Sequence, residues 1–499
     1  MGLNDKSSLT LDEKLIGKSN IKSTYQAYKN QKKETPLFRI LPNLFFKLRY
    51  ICHSFLNRKL FRFFAFDVTL GGLLFMFFLL GSIVVGEIMV FKYDEKKFSY
   101  TGRINFILLC LIFSFASRNS IWALLVGLSV ERALVWHKVT VFCLIGTALL
   151  HGWLNSWRSV NGIYLFTSIV VTSFTALWFI RKHFFYYFYV VHIGIAGVII
   201  YFTFNHGYAF NVYAPMFWIV DVGIRGLFNL YFMMKGNKFQ LKLSAQKRFV
   251  QMVANNHLIS HRPGQYFFVV IPRLSLIEPH PFTAASIPHE NMTFNIRFLG
   301  DWTKNLIELA DKQSEITAFI DGPYGIPTID PESSYAKHFL LIAGGIGINY
   351  IRPWAHHLID QFNEGRKIKS ITLLWTVRET ELLELISFPS TIIDALKVNE
   401  SQSNTFFNLP DSHRLTFDLQ IFLKSDLESF NQAQTPVKKY VKRKPLDLKF
   451  FFEGFNEQIK CKSPKKVKVM CCGPRRMIDH CFRLSQKYGY DIHSEYFEI

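Results

Sequence analysis

The chain has 499 residues, enough for two or three domains, and its hydrophobic fraction of 49% is unevenly distributed. Its formal net charge is +21, but the basic residues form no stripe on one amphipathic element, so we expect no nucleic-acid partner. Many of them lie in the N-terminal tail, where attraction to an anionic membrane surface explains them. The seven cysteines show no disulfide-framework spacing, which indicates a reducing compartment for the polar part.

The first 66 residues form a polar, basic tail. Because the start of the tail holds no short apolar segment, we expect no cleavable signal peptide, and the first span acts as its own insertion signal. From 67 to 234 the sequence is a series of long apolar runs, rich in the 51 phenylalanines of the chain. The predicted spans are residues 67–91, 104–128, 133–153, 161–180, 184–206 and 210–233.

Each run can cross about 30 Å of hydrocarbon at about 1.5 Å of helix rise per residue. Arg118 and Asn119 interrupt the second run, and a split there would give seven spans, but parity favours six. Lys and Arg are enriched in cytoplasmic loops, and here they lie before span one, around the start of span three, before span five and after span six. Both termini are therefore predicted to be cytosolic, with loop 92–103 outside.

The pattern changes after Lys235. Short β-rich runs occur at 239–243, 265–271 and 293–298, and they are broken by Pro and Gly. This pattern predicts a small antiparallel barrel over residues 235–333.

Residues 334–499 have a different organisation. Apolar strands such as 338–343 and 371–377 alternate with helical stretches, which is typical of an α/β domain. The segment 398–449 is polar and charge-rich with little periodicity, which predicts a surface insertion that is partly disordered.

Four histidines in the apolar region form two pairs with one spacing. His137 and His151 lie 14 residues apart on span three. His192 and His206 lie 14 residues apart on span five. At about 100° per residue this separation comes within about 40° of whole turns, so each pair lies on one helix face with about 21 Å between its members.

Two hemes stacked across a membrane need that arrangement. Spans three and five are both odd-numbered and run parallel, so His137 is expected to meet His192 near the cytosolic side. By the same argument His151 is expected to meet His206 near the outer side. Each iron would then have two imidazole ligands and no open position, which favours one-electron transfer. The alternative is a packed or interfacial polar group, as for His183, but four matched ionisable groups in a bilayer are expensive and favour ligation.

Short motifs follow in a fixed order along the chain. They are Ser117-Arg118-Asn119 and Glu131-Arg132 before His137, Arg262–Tyr266, His280-Pro281-Phe282-Thr283 with Ser286, Arg297 with Gly300–Thr303, Leu341–Ile348, Trp375–Arg378, and Cys472-Gly473-Pro474. With the histidine pairs, these motifs resemble the ferric reductase and NADPH oxidase family over nearly everything from span one to the C-terminus. The chain looks most like its compact fungal members, described as metalloreductases or NADPH oxidases.

The resemblance implies an FAD site in the barrel. Thr283 would contact the isoalloxazine, and the ring of Phe282 would pack beside it. Arg297 would reach the pyrophosphate, where a guanidinium supplies bidentate hydrogen bonds. The implied FAD-contacting residues are His280, Pro281, Phe282, Thr283, Ser286, Arg297, Trp302 and Thr303.

A glycine-rich turn follows the predicted strand 338–343. Its glycines let the backbone approach a pyrophosphate, and a helix N-terminus adds free amides. These glycines are Gly344, Gly345 and Gly347. Arg378 is the candidate for binding the 2′-phosphate of NADPH. Ile346 stands where the family more often has Thr or Ser, a departure that affects one hydrogen bond to the dinucleotide but not the fold.

The C-terminal motif resembles the nicotinamide-side motif of the family. Cys472 would lie near the hydride path as the catalytic residue, and Gly473 and Pro474 would bind the nicotinamide beside it. The alternative for Cys472 is a small buried residue at a strand end. Phe497 is expected to stack on the flavin until nicotinamide displaces it, with Tyr496 as the rival.

The predicted fold class is a membrane α-helical bundle followed by a ferredoxin-reductase-like module, an antiparallel FAD-binding barrel plus an α/β NADPH-binding domain. The resemblance implies an NADPH-dependent oxidoreductase that passes electrons through FAD and two b-type hemes to an acceptor on the opposite face. A metalloreductase acting on ferric or cupric chelates, a superoxide-producing oxidase that uses oxygen, and an inactive membrane scaffold are the three alternatives. The plasma membrane or the endoplasmic reticulum is expected, and the sequence leaves the acceptor and any partner subunits open.

Overall fold

In chain order, the described part of the protein has a two-stranded hairpin, a set of helices, two further antiparallel sheets and a parallel sheet with helices. The computed structural model describes residues 59–63, 66–93, 97–118, 122, 130–206, 213–234, 237–244, 246–255, 261–276, 278–287, 290–325, 327, 329–390, 392–396, 415–423, 437–459 and 464–495. Phe497 and Tyr496, both named as candidate flavin-stacking residues, lie outside these ranges, as does Asn119.

The N-terminal half is helical after a short antiparallel hairpin. The hairpin strands are β1 (Lys59–Phe63) and β2 (Phe66–Thr69). The helices are α1 (Leu70–Tyr93), α2 (Lys97–Ala116), α3 (Val130–Leu154), α4 (Val160–Thr175), α5 (Trp178–His183), α6 (Phe185–Asn205) and α7 (Met216–Met234). Their shared core includes Leu108, Leu144 and Ile199.

The outer surface of these helices is apolar. Phe78 and Phe142 are 75% and 74% exposed. Among the described residues, only five exposed large hydrophobic side chains lie after residue 237, namely Leu276, Phe298, Leu299, Tyr335 and Phe450. An apolar exterior confined to one region is typical of a surface that faces lipid rather than water.

Two of the described helices are long and apolar enough to cross a membrane, by length and composition alone. They are Arg132–Leu154 and Phe185–Asn205, which belong to α3 and α6. Shorter apolar helices are Leu70–Gly86, Thr101–Ala116 and Val160–Thr175. The number of spans, predicted to be six or seven, therefore stays a prediction.

Three predicted spans have different boundaries in the structure. The fourth, placed at 161–180, divides into α4, which ends at Thr175, and α5, which begins at Trp178. The second, placed at 104–128, corresponds to a helix that begins at Lys97 and ends at Ala116. Residues 119–121 and 123–128 of the predicted span lie outside the described residues. The sixth, placed at 210–233, begins as a helix at Met216.

The predicted antiparallel barrel over 235–333 consists of two sheets. One has the order β7-β4-β3-β8, and the other has the order β6-β5-β9. Their strands are β3 (Lys238–Leu243), β4 (Phe249–Ala254), β5 (Tyr266–Val270), β6 (His280–Thr283), β7 (Thr293–Arg297), β8 (Glu315–Thr317) and β9 (Phe319–Tyr324), with α8 (Asp301–Lys312) between β7 and β8. Alternating side chains such as Phe239, Met252 and Phe267 fill the space between the sheets.

The C-terminal part is a six-stranded parallel sheet with the order β13-β12-β11-β10-β14-β15. Its strands are β10 (His338–Gly344), β11 (Ser370–Val377), β12 (Thr416–Leu423), β13 (Val441–Lys442), β14 (Val467–Cys472) and β15 (Asp491–Glu495). The helices are α9 (Ile348–Asn363), α10 (Glu381–Leu385), α11 (Leu448–Ile459) and α12 (Arg475–Tyr488). The predicted α/β organisation is confirmed.

The prediction that 398–449 is a surface insertion is wrong for part of that segment. Strand β12 lies within it and pairs with β11 along its whole length. Ile421 and Phe422 are 0% and 1% exposed. The strand is buried on both faces because helices cover both sides of a parallel sheet. Burial of its apolar residues keeps it in the sheet, although the sequence on either side of it is polar.

Candidate functional site

The structure brings the four membrane histidines together in two pairs. The ring centroids of His137 and His192 are 6.4 Å apart. Those of His151 and His206 are 6.2 Å apart. His137 and His151 lie on α3, His192 lies on α6, and His206 directly follows α6. Because the earlier residue of α3 faces the earlier one of α6 and the later residues also face each other, the two helices run parallel.

Three of the four rings are oriented by a hydrogen bond to Nδ1. His137 Nδ1 is 3.0 Å from the carbonyl oxygen of Ile112 on α2. His151 Nδ1 is 2.8 Å from Thr101 Oγ1, and His206 Nδ1 is 2.9 Å from Ser159 Oγ. A partner on Nδ1 fixes the ring and leaves Nε2 to bind a metal.

The predicted flavin motif lies on β6, beside a second aromatic residue from α8. The ring centroids of His280 and Trp302 are 4.3 Å apart, and those of Phe282 and Trp302 are 5.7 Å apart. His280 Nε2 and Trp302 Nε1 are both buried and have no hydrogen-bond partner among the residues that the structure describes. Burial lowers the pKa of His280 to about 4, so the ring is neutral near pH 7. Buried polar atoms of this kind fit a bound ligand that carries hydrogen-bond acceptors, as FAD does.

Other residues of the predicted FAD set have structural roles. Thr283 is buried opposite Tyr266 in the β5–β6 ladder, next to Pro281 and Phe282. The Ser286 hydroxyl accepts a hydrogen bond from Thr293 N and lies 3.2 Å from a buried histidine nitrogen. These contacts hold the loop after β6 rather than point into a cleft.

The two remaining predicted FAD residues are Arg297 at the end of β7 and Thr303 in the first turn of α8. The Thr303 hydroxyl accepts from Gly300 N at 3.0 Å, so this side chain caps the helix. The Arg297 guanidinium donates to Glu379 Oε1 at 2.8 Å, across to the α/β domain. Glu379 was not identified by sequence reasoning, because nothing in the local pattern links it to Arg297.

The predicted nucleotide residues gather at one edge of the parallel sheet. Strands β10, β11 and β14 end at Gly344, Val377 and Cys472, and parallel strands present their carboxyl ends together. Arg378 follows β11 directly and is exposed. The structure therefore places the glycine turn, Arg378 and the Cys472-Gly473-Pro474 motif along the same edge of the sheet.

The glycine turn and the C-terminal motif are in close contact. A Cβ on Gly347 would overlap the carbonyl oxygen of Cys472, and one on Gly344 would lie 2.6 Å from Pro474 Cδ. Gly345 has a φ of +54°, which a side chain would disfavour, and its carbonyl oxygen accepts from Trp375 Nε1 at 3.0 Å. Each glycine is therefore required by geometry as well as by any ligand.

Cys472 is completely buried at the end of β14. Burial raises the pKa of its thiol well above the ordinary value, and the Glu495 carboxylate adds to the increase. The thiol is therefore protonated near pH 7. Met477 also lies at this edge, with its Sδ 3.2 Å from where a Gly344 Cβ would be, and it was not identified from the sequence.

The barrel and the α/β domain are joined by buried polar contacts. Asn295 Nδ2 donates to Asn349 Oδ1 at 2.9 Å, and Asn349 Nδ2 donates back to Asn295 O at 3.1 Å. The Arg352 guanidinium, 6% exposed, donates to the carbonyl oxygens of Ala285 and Ser387. Asn349 and Arg352 lie on α9 directly after the glycine turn, so this helix links the flavin motif to the nucleotide edge.

Known domain families match the soluble part of the chain. The family model described as "FAD-binding domain" matches residues 232–328, and the one described as "Ferric reductase NAD binding domain" matches residues 336–486. "Ferric reductase transmembrane component 1" of Schizosaccharomyces pombe is 22% identical over 474 residues, which are 81% of this chain and 80% of that protein.

"NADPH oxidase 4" of Rattus norvegicus is 27% identical over 243 residues, which are 45% of this chain. The match spans only 40% of the length of that oxidase. A solved structure described as "Ferredoxin reductase in carbazole 1,9a-dioxygenase" is 16% identical with a TM-score of 0.35, and the match covers 52% of this chain and 69% of that one. A TM-score of this size supports no conclusion about this chain. Residues 232–328 and 336–486 therefore match an FAD-binding domain and a ferric reductase NAD-binding domain, and the chain is similar to ferric reductases and NADPH oxidases.

Proposed function

We propose that this protein transfers electrons from cytosolic NADPH, through FAD and two b-type hemes, to a ferric or cupric chelate on the opposite face of a membrane. The observation that carries the proposal is the double histidine pair, attached to a chain that also has FAD-binding and NAD-binding domains.

The histidine geometry supports iron between each pair. An imidazole nitrogen lies about 2 Å from a bound metal, and each nitrogen lies about 1 Å from its ring centroid, so two axial rings on one iron have centroids about 6 Å apart. The observed separations are 6.4 Å for His137 and His192 and 6.2 Å for His151 and His206. Bis-imidazole iron accepts and releases one electron and has no open position for oxygen.

The soluble module supports the supply of electrons. His280, Phe282 and Trp302 would hold the FAD ring region, and Arg297 would hold its pyrophosphate. The glycine turn and Arg378 would hold NADPH. When bound, FAD would supply the change from two-electron hydride transfer to single-electron transfer. Buried Cys472 lies where the glycine turn meets the Cys472-Gly473-Pro474 motif, and it would keep water away from the hydride path.

The acceptor is the part of the proposal with two candidates. The relative that covers 81% of this chain is named as a ferric reductase component, which favours metal chelates. A superoxide-generating NADPH oxidase is the second candidate, because the rat relative named as an oxidase matches the soluble part. Both candidates use the same electron path from cytosol to the far face.

The test uses sealed vesicles that contain the full-length protein with the nucleotide side accessible. NADPH is added, and reduction of a ferric chelate and formation of superoxide are both measured, with and without oxygen. Chelate reduction that persists without oxygen supports the metalloreductase, and superoxide alone supports the oxidase. A purified protein without b-type bands in its reduced-minus-oxidised spectrum would contradict electron transfer and favour an inactive scaffold.

A further inference from the structure

Arg118 joins the helices to the FAD-binding barrel, beside the packing of α7 on β9. Arg118 follows the end of α2, and its Nη1 donates to Asp321 Oδ2 at 2.9 Å on β9. Its guanidinium also lies over the ring of Phe268 on β5, 3.7 Å from the centroid. An arginine can make both contacts at once because its planar guanidinium stacks on a ring while its edge donates hydrogen bonds.

The contact is mostly buried and braced on both sides. The side chains of Arg118 and Asp321 are 14% and 16% exposed. On the helical side, Arg118 N donates to Asp221 Oδ2 at 2.9 Å, and Arg225 pairs with the same carboxylate at 3.2 Å. On the barrel side, the Tyr324 hydroxyl donates to Asp321 Oδ1 at 2.7 Å.

Among the residues that the structure describes, two arginines and two aspartates take part in this contact, and the formal charges of these four cancel. Burial raises the pKa of Tyr324 above its ordinary value, and Asp321 adds to the increase, so the hydroxyl is always available as the donor. A buried charged network of this kind favours one geometry, because sliding the barrel along the helices would separate opposite charges where water cannot solvate them.

The network lies between the two candidate cofactor regions. On the barrel side, Phe268 is directly opposite Pro281 in the β5–β6 ladder, so Arg118 touches the strand next to the flavin motif. Adjacent strands lie about 4.8 Å apart. On the helical side, Arg118 is six residues after Ile112, whose carbonyl oxygen is the Nδ1 partner of His137.

We propose that Arg118 is the positioning residue that fixes the FAD-binding barrel on the helical bundle, at one distance from the His137–His192 pair. This inference rests on the proposed function. The inference goes beyond that function, because Arg118 would set the electron step from flavin to the inner heme without binding either cofactor.

The experiment follows the full-length protein, purified in detergent with both cofactors, after anaerobic mixing with NADPH. Flavin absorbance reports hydride transfer, and heme absorbance reports the following electron step. Arg118→Ala is expected to leave the flavin phase unchanged and to slow the heme phase at least about tenfold, since small misplacements of reacting groups have effects of that size or larger. Arg118→Lys keeps the charge but loses the planar guanidinium that stacks on Phe268. Its heme phase is expected to have a rate between those of the wild type and Arg118→Ala.

The matched control is Asp311→Asn, which breaks the Lys247–Asp311 ion pair of 2.7 Å between the β3–β4 loop and α8 of the barrel. It is expected to match the wild type in both phases. If Arg118→Ala does not assemble, Phe268→Leu tests the same contact from the barrel side. The reversed pair Arg118→Asp with Asp321→Arg is expected to recover part of the heme rate lost in either single variant.

Two outcomes would overturn the proposal. An unchanged heme phase in Arg118→Ala, with wild-type heme reduced normally, means that other contacts position the barrel. Loss of heme from Arg118→Ala, with FAD retained, means that the arginine holds heme rather than the barrel. Failure of the proposed function is distinct, because the wild type itself would then show no heme phase.

Discussion

Arg297 and Glu379 form an ion pair of 2.8 Å that joins the last residue of β7 in the barrel to the loop after β11 in the α/β domain. Arg297 is the residue expected to hold the FAD pyrophosphate, and Glu379 directly follows Arg378, which is expected to hold the 2′-phosphate of NADPH. The carboxylate engages the Nη2 of the guanidinium, so fewer of its N–H donors are left for a phosphate. The pair therefore connects the two nucleotide regions through one cation.

The first prediction concerns FAD affinity in Glu379→Gln. A partly exposed ion pair contributes about 0.2–1 kcal/mol, so releasing Arg297 is expected to tighten FAD binding up to about fivefold. The dissociation constant is measured by flavin fluorescence on FAD-stripped full-length protein. The control is Glu315→Gln, which breaks a pair with Lys238 at 3.0 Å elsewhere on the barrel. Weaker FAD binding in Glu379→Gln would mean that the carboxylate positions the arginine instead of competing with the ligand.

The second prediction concerns the outer histidine pair. His151→Ala or His206→Ala removes one of two axial ligands, and we expect the heme-to-protein ratio to fall by half while the FAD content is unchanged. Heme is measured by its pyridine complex and FAD by release. His183→Ala, on α5 with its Nδ1 bonded to Phe179 O, is the control and is expected to keep both hemes. An unchanged ratio in the first two variants would refute the ligand assignment.

The third prediction concerns a glycine that contacts His206. A Cβ on Gly162 would lie 2.6 Å from His206 Cε1 and 3.1 Å from Nδ1, closer than van der Waals contact allows. Gly162→Ala is therefore expected to push the ring away from its partner and to lower the heme content. In Gly81→Ala on α1, a Cβ would meet no atom within 4 Å, so this variant is expected to resemble the wild type. Equal heme spectra for both variants would show that the ring adapts.

The fourth prediction concerns acid stability and His338 at the start of β10. Burial, and then the cations Lys369, Lys466 and Lys337, lower the pKa of His338 from 6.5 to about 4. Its Nδ1 is 2.8 Å from Ser370 Oγ. The unfolded chain therefore binds a proton between about pH 6.5 and about pH 4 that the folded chain does not, so stability is lost as the pH falls through that window.

His338→Gln has no such proton and is expected to lose about 2 kcal/mol less on acidification than the wild type. Part of the dependence stays, because the pKa of His280 is also about 4. The check is the shift of the thermal midpoint of the full-length protein between about pH 7 and about pH 5. Identical shifts for variant and wild type would exclude His338 as a source.

Regular local geometry explains what the sequence could predict. The histidine pairing followed from helix rise, because the same residue separation on two parallel helices must bring both pairs together. Strands such as β5 and β10 followed from their apolar runs. Strand β12 was missed because polar sequence surrounds it on both sides. The contacts of Arg118 with Asp321 and of Arg297 with Glu379 could not be predicted, since their partners lie 203 and 82 residues away and no local pattern encodes domain packing.

The fifth prediction separates a role in hydride transfer from a role in packing, with two adjacent cysteines on β14. Cys471 and Cys472 are both 0% exposed, but successive residues of a strand face opposite sides of the sheet. Cys472 belongs to the core on the side of α9, and its carbonyl oxygen meets Gly347 of the nucleotide turn. Cys471 belongs to the core on the side of α11 and α12.

Cys472→Ala and Cys471→Ala remove the same atom and are expected to lower stability by a similar amount, about 1 kcal/mol. Only Cys472→Ala is expected to slow NADPH-dependent flavin reduction, by about tenfold, because only its side chain lies at the junction where the nicotinamide would be positioned. Anaerobic stopped-flow measurement of flavin absorbance, with the FAD content of each variant determined beforehand, makes the comparison. Equal rates in the two variants would assign Cys472 to the core alone, because both cysteines are buried and each substitution removes similar packing.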